Sequence, residues 1–164
     1  MKIYNMMDKL KKDMTRWDYP VQTPIKKYFI ESILKRESTT EASLLLDKIT
    51  DELCVLFDNH PEYVTFLKCM DGFEYDGLTL YSLSVPEPII KNLFVMNEFY
   101  RNNDDYIDPD LATRLVIGEN GTSLFTYDTK MDLFEIRDNV STESIYGSFN
   151  SFTDFLTVIL DTVK

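Results

Sequence analysis

The spacing of the apolar residues changes along the chain, and this change limits the fold more than any single motif does. From Ala42 to Phe57 the apolar residues recur three or four positions apart, which predicts a long amphipathic helix. From Leu115 to Phe149 short runs separated by turn residues predict an antiparallel meander. A last helical stripe follows Ser151. This order predicts a single α+β domain whose sheet has one solvated face.

Two helices are predicted before the long one. The first carries its apolar residues at helical spacing from Ile3 to Trp17, and Pro20 is expected to end it. We expect Trp17 to be a core anchor. A second helix is expected to begin at Thr23 and Pro24, because a capping side chain before a proline is a helix start signal.

Local signals also predict the remaining boundaries. The Ser38–Glu41 sequence matches a capping box, and Gly72 is placed to stop a short helix that begins at Pro61. A strand is predicted within Leu78–Leu83, and Pro86 and Pro88 are expected to open a helix. Residues 102–110 are predicted to be a polar loop. The predicted strands of the meander are Leu115–Ile117, Thr122–Tyr127, Leu133–Arg137 and Ile145–Phe149.

Charge is unevenly distributed and narrows the choice of partners. The net charge is −11, but residues 1–36 hold nine Lys or Arg against four Asp or Glu, whereas residues 37–164 hold eight against twenty-four. An acidic body repels nucleic acid and anionic lipid and attracts a basic partner. The lysines of the first helix could suggest a membrane surface or a basic ligand-binding face, but a solvated face is the better interpretation. We therefore predict a protein partner, no nucleic acid and no membrane.

The sequence predicts a cytoplasmic protein. It has no run of about 18 apolar residues, and its N-terminus lacks the apolar core of a signal peptide. Its two cysteines, Cys54 and Cys69, fit a reducing compartment and are predicted to be core or near-core thiols.

Few residues are available for catalysis. His60 is the single histidine, and a Cys-His pair with Cys54 or Cys69 is conceivable, but a capping or surface role for His60 is favoured. The sequence contains no nucleophile elbow, phosphate loop or zinc-protease motif. We therefore predict that the protein is not an enzyme and uses no cofactor.

Two acidic groups are the candidate binding residues. An EF-hand is disfavoured at the group within residues 104–110, because Pro109 interrupts it and the central glycine is missing. A solvated loop is the simplest interpretation, and a surface for a basic partner is the functional one, so no metal site is predicted. The candidate partner-binding residues are Asp71, Glu74, Asp76, Asp104, Asp105, Asp108 and Asp110.

Several motifs together resemble those of the SUKH (Smi/Knr-like) superfamily. The 60–72 segment resembles its Pro-x-x-Tyr-x-x-Phe-Leu-x-x-x-Asn-Gly signature, with Asp71 for the common Asn and Tyr63 one position nearer the proline. The 97–101 segment, Asn-Glu-Phe-Tyr-Arg, resembles a motif of the YrhA-like branch of this superfamily. The resemblance covers roughly residues 40–163, and its other motifs are Gly77–Tyr81, Leu115–Gly121, Leu124–Asp128 and Ser151–Leu156.

The resemblance implies a fold and a role. It implies an α+β fold with one mixed or largely antiparallel sheet flanked by helices, and a SUKH-like core at residues 38–164 preceded by an N-terminal helical extension at 1–37. Many bacterial members resemble immunity proteins that neutralise a cognate toxin. We therefore expect a non-catalytic immunity protein that binds a basic toxin domain. The alternative is a regulatory adaptor or scaffold of the Smi/Knr type without a toxin partner.

Overall fold

The structure, a computed structural model, describes residues 2–35, 44–102 and 106–163. Within these ranges the chain forms seven α-helices, six β-strands and one 3-10 helix. The helices are α1 (Lys2–Arg16), α2 (Lys27–Leu34), α3 (Leu44–Asn59), α4 (Pro61–Cys69), α5 (Leu93–Arg101), α6 (Pro109–Ala112) and α7 (Phe152–Leu160), followed by the 3-10 helix Asp161–Val163. The strands are β1 (Phe73–Tyr75), β2 (Leu78–Leu80), β3 (Leu115–Glu119), β4 (Ser123–Asp128), β5 (Leu133–Asp138) and β6 (Ile145–Phe149).

The six strands form one antiparallel sheet in chain order, β1 to β6. This architecture confirms the predicted α+β fold with an antiparallel meander and a closing helix. One expectation is corrected: β4 is buried at all six positions, so the centre of the sheet has no solvated face. Polar residues such as Thr126 and Asp128 still alternate with aromatic ones in β4, but they are buried as well.

Aromatic side chains join the sheet to two helices. Phe134 of β5 lies 5.6 Å from Phe152 and 5.5 Å from Phe155, measured between ring centroids, so α7 packs directly on the sheet. Phe66 of α4 lies 5.7 Å from Phe152 and extends the same cluster. Ring pairs at these distances and tilts stabilise a core beyond the area that they bury.

The N-terminal helix belongs to this core. α1 buries Ile3, Met7, Leu10 and Met14 in the same apolar cluster that holds α4 and α7. Their helical spacing explains the stripe seen in the sequence. The boundary expected at residue 37 stays a prediction, and it falls within residues 36–43, outside the described residues, as does the Ser38–Glu41 capping box.

α1 ends in a Schellman motif. The Tyr19 N–H donates to the Met14 carbonyl at 2.8 Å, and the Asp18 N–H donates to the Thr15 carbonyl at 3.2 Å. Asp18 has a φ of 60°, the left-handed conformation that this motif requires. The helix therefore ends at Arg16, before Pro20. Trp17 follows it with 62% of its surface exposed, so the expectation of a core anchor was wrong.

Two predicted helix starts are displaced. α2 begins at Lys27, because the segment before it is extended: Ile25 donates to the Leu67 carbonyl at 2.9 Å, and the Thr23 carbonyl accepts from the Asp71 N–H at 3.0 Å. α5 begins at Leu93, after Pro86 and Pro88, because the Asn92 side chain caps it by accepting from two backbone N–H groups.

Two elements, β1 and α6, were not predicted from the sequence. β1 pairs with β2 through a two-residue turn, Asp76-Gly77, whose φ angles are 50° and 82°. This dipeptide with two positive φ angles is typical of a type I′ hairpin, and it is the signal that identifies β1 in the sequence. Helix α6 begins inside the predicted polar loop, where the Asp108 side chain accepts from the Asp110 and Leu111 N–H groups.

Candidate protein-interaction surface

The three arginines of residues 37–164 point inward. Arg101 at the end of α5 is 8% exposed and forms a two-bonded ion pair with Glu52 of α3, with one of its contacts at 3.0 Å. The same guanidinium donates to the Arg114 carbonyl at 2.6 Å. Its positive charge is therefore paired inside the protein.

The other two arginines share one carboxylate on the sheet. Arg114 Nε lies 2.9 Å from Glu135 Oε1, and Arg137 lies 3.0 Å from Glu135 Oε2. Arg114 also reaches Asp128 at 3.4 Å, and Asp110 lies 3.9 Å from both guanidinium groups. The network ties α6 to β4 and β5, and it removes the last arginines of residues 37–164 from the surface.

This network changes the role of two predicted binding residues. Asp108 caps α6 and also accepts a hydrogen bond from the Thr142 hydroxyl, while Asp110 faces Arg114 and Arg137. Both side chains are half-buried and have internal partners. Asp104 and Asp105 lie outside the described residues.

Asp71 is also an internal residue. It is 1% exposed, and its carboxylate accepts from the Leu83 N–H at 2.9 Å, from the Ser84 N–H at 3.2 Å and from the Ser84 hydroxyl. It holds the turn that follows β2, so the expectation that it faces a partner is corrected. Glu74 on β1 and Asp76 in the β1–β2 turn are exposed and remain candidates.

An exposed row of carboxylates on α3 was missed by the sequence analysis. Asp47, Asp51 and Asp58 are four and seven residues apart, which places them within about 40° of one another around the helix. We call these three residues the acidic stripe. The opposite side of α3 buries Ile49, Leu53, Leu56 and Phe57, which holds the stripe on a rigid element. The spacing was visible in the sequence beside the apolar pattern.

The exposed surface of the described residues beyond 43 keeps the acidic balance that the composition of residues 37–164 suggests. Across residues 44–102 and 106–163, twelve exposed carboxylates face four exposed lysines. One of these lysines, Lys91, is paired with Glu119 at 2.8 Å. The carboxylates are Asp47, Asp51, Asp58, Glu62, Glu74, Asp76, Glu87, Glu98, Asp132, Glu143, Asp154 and Asp161, and the lysines are Lys48, Lys68, Lys91 and Lys130.

His60 is neither a cap nor a surface residue, which corrects its predicted role. It is 5% exposed and its side chain makes no capping hydrogen bond to α4. The ring packs edge-on against Phe134 at 4.7 Å, and its Nε2 lies 2.6 Å from Asp132 Oδ1. The Tyr127 hydroxyl donates to the same Asp132 oxygen at 2.8 Å. The cluster links the α3–α4 junction to the β4–β5 turn.

The cluster alters two pKa values. Burial raises the pKa of Tyr127 to about 12, with the Asp132 carboxylate contributing in the same direction. Partial burial acts to raise the pKa of Asp132, but the hydrogen bonds from Tyr127 and His60 outweigh it and lower that pKa below its ordinary value. The folded state therefore favours the ionised Asp132 carboxylate.

Replacement of Asp132 by asparagine is expected to remove part of the acid sensitivity of the fold. Because the folded pKa of Asp132 is depressed, its ionisation adds stability above the unfolded pKa of about 4, and this contribution is lost as the pH falls through the folded pKa. The difference in unfolding free energy between wild type and Asp132→Asn should therefore shrink from about pH 5 to about pH 3, as measured by urea denaturation.

The matched control for this prediction is Asp76→Asn. Asp76 shares the left-handed backbone of Asp132, with a φ of 50° against 55°, and asparagine tolerates that conformation. Asp76 makes no link to His60. An Asp132→Asn difference that stays constant across this pH range would contradict the assignment.

Two negative findings apply to the described residues. In the part of the chain that the structure describes, no group of three or more His, Cys, Asp or Glu side chains is arranged to hold a metal ion. No helix of residues 2–35, 44–102 or 106–163 is both long and apolar enough to cross a membrane. Cys54 and Cys69 are both buried, as predicted.

Comparison with known proteins identifies a relative. No family model and no solved structure matches the chain. YrhA of Escherichia coli (strain K12), an uncharacterized protein, is 55% identical to the chain over 126 residues, which span 77% of this chain and 91% of YrhA. Identity of this size over most of both chains bears out the YrhA-like part of the resemblance. The chain belongs to the YrhA family.

Proposed function

We propose that the chain is a non-catalytic protein-binding domain that neutralises a basic toxin domain, as an immunity protein of the SUKH type does. Membership of the SUKH superfamily is part of this proposal, and the order of the sequence motifs and the α+β meander support it. The protein acts in the cytoplasm and without a cofactor.

One observation carries the proposal: the arginines of residues 37–164 are paired internally while the exposed carboxylates outnumber the exposed lysines by twelve to four in the described part. A toxin that acts on nucleic acid needs a positively charged binding surface. An acidic surface attracts such a domain, speeds the encounter and competes with phosphate for the same cleft.

The acidic stripe is the strongest contact candidate on this surface. Asp47 lies in the first turn of α3 and stabilises the helix dipole, but Asp58 lies in the last turn, where a negative charge is unfavourable by about 0.3–1 kcal/mol. The stability of α3 therefore does not explain the whole stripe. Recognition of a cationic surface accounts for a row of carboxylates along one helix.

Neutralisation of the stripe is expected to weaken toxin binding. The partner is first captured from a native lysate at low and moderate salt and identified by mass spectrometry. The triple variant Asp47→Asn, Asp51→Asn, Asp58→Asn should then lose about tenfold in affinity or more, mainly through slower association, and its affinity should depend less on salt. Surface plasmon resonance over a salt series measures both effects.

The matched control is Glu87→Gln, Glu98→Gln, Glu143→Gln. It removes the same charge from exposed positions outside α3. An equal loss in both variants would point to general attraction rather than to the stripe. Full affinity in the stripe variant contradicts α3 as the contact, and capture of a complex that contains no toxin favours the regulatory adaptor.

A further inference from the structure

An aromatic cleft lies where the end of α1 meets the β1–β2 turn. Its volume is about 480 Å³, and its lining residues are Trp17, Tyr19, Tyr75 and Asp76. We call it the aromatic cleft. Three of these residues are aromatic and the fourth is a carboxylate, so none of the described lining residues is basic.

Two tight turns hold the cleft in place. The Schellman motif at Asp18 projects Trp17 and Tyr19 from the end of α1, and the type I′ turn holds Asp76 beside Tyr75. Tyr75 is 7% exposed and its ring meets the Tyr19 ring edge-on, with 4.8 Å between centroids. The side of the cleft formed by Tyr19 and Tyr75 is therefore preorganised.

The chemistry of the lining is suited to a cation. The faces of aromatic rings attract ammonium and guanidinium groups, and several such faces around one space form a cage for them. Trp17 already shows this attraction, because the Arg16 guanidinium lies 5.4 Å from its ring centroid. Arg16 itself lines a different groove, together with Lys11, Lys12 and Thr15.

The electrostatic field at Tyr75, on the edge of the cleft, is net negative, as the binding of a cation requires. Burial raises the pKa of Tyr75, the carboxylates of Asp13 and Asp76 raise it further, and the Arg16 guanidinium lowers it by a smaller amount. Two carboxylates thus act on the Tyr75 hydroxyl at the edge of the cleft. The indole of Trp17 is 62% exposed and lies outside the buried apolar cluster.

We propose that the aromatic cleft binds an organic cation, namely the guanidinium or ammonium group of a basic side chain on the protein partner. Recognition of the cation follows from the lining residues alone. The assignment of its source to a partner side chain rests on the proposed function. The cleft then gives the basic partner a defined anchor point, whereas the acidic stripe gives it general attraction.

Trp17 reports on the cleft directly, because it is the only tryptophan of the protein. The full chain is titrated with N-acetyl-arginine amide and with tetramethylammonium chloride while Trp17 fluorescence is recorded. Sodium chloride at equal ionic strength and the neutral tert-butanol serve as ligand controls. We expect a saturable change in the millimolar range with the cations alone.

Variants that keep Trp17 test the lining. Asp76→Asn should weaken cation binding about threefold or more, and Tyr19→Leu should weaken it similarly. Asp18→Asn is the matched control, since it removes an equal charge from a left-handed position beside the cleft without changing a lining residue. It should have the smaller effect. Circular dichroism verifies that each variant is folded.

The outcomes separate this inference from the proposed function. Equal responses to the cations, sodium chloride and tert-butanol overturn the cleft as a cation site, and so does an Asp18→Asn effect equal to that of Asp76→Asn. Binding of tetramethylammonium without binding of the arginine amide overturns the side chain as the source. The titration needs no toxin, so its failure leaves the acidic stripe proposal intact, and failure of the stripe variant leaves the titration intact.

Discussion

Replacement of Arg101 by methionine is expected to lower the free energy of unfolding by about 3–5 kcal/mol. The arginine pairs through two nitrogens with Glu52, whose side chain is 11% exposed, and it also donates to the Arg114 carbonyl. Without the arginine, Glu52 remains as a buried charge that has lost its ion-pair partner. The desolvation of that carboxylate is the main source of the loss.

Urea denaturation of two further variants tests this explanation. The double variant Glu52→Leu, Arg101→Met should recover much of the lost stability, because it removes both charges and fills the space with apolar atoms. Lys91→Met is the matched control: it breaks the more exposed pair with Glu119 and should lose at most about 1 kcal/mol. A double variant no more stable than Arg101→Met would show that the guanidinium contacts, and not the stranded charge, dominate.

Replacement of Asn97 by alanine is expected to lower the free energy of unfolding by about 3 kcal/mol. The Tyr81 N–H still donates to the Ile117 carbonyl of β3 at 2.9 Å, and the fully buried Asn97 amide takes over at the next residue, Val116. Asn97 accepts from the Val116 N–H and donates to the Val116 carbonyl, both at 2.8 Å. The side chain thus completes the backbone pairing of β3, and alanine leaves two buried polar groups without partners.

Hydrogen exchange locates the Asn97 effect. The Val116 amide should exchange faster in Asn97→Ala relative to the amides of β4, because its acceptor is removed. Glu98→Ala on the exposed side of the same helix is the control and should change stability by no more than about 0.5 kcal/mol. Unchanged protection of Val116 would contradict the strand-completing role.

The candidate surface is predictable from the amino-acid sequence only in part. Glu74 and Asp76 are exposed as expected, and the spacing of Asp47, Asp51 and Asp58 was available as a helical pattern. Asp71 could not be distinguished from them, because an acidic residue beside a turn is equally compatible with solvent and with buried N–H donors. Its partners, Leu83 and Ser84, lie twelve and thirteen residues further along the chain.

The elements with local signals could be predicted from the amino-acid sequence. Apolar spacing defines α1, α3 and α7, and turn residues between short apolar runs define the strands from β3 to β6. These patterns hold because helix and strand periods are properties of the backbone that neighbouring residues share. The α+β fold class follows from their order along the chain.

Which polar residues are internal depends on contacts between segments that are distant in the sequence. Arg101 meets Glu52 across 49 positions, and His60 meets Asp132 across 72. Trp17 is exposed although its apolar ring and its spacing predict burial. A charged or aromatic side chain has no preferred partner until the chain brings distant segments together. Burial and pairing are therefore decided by packing, which takes carboxylates such as Asp71 and Glu135 inside as well as arginines.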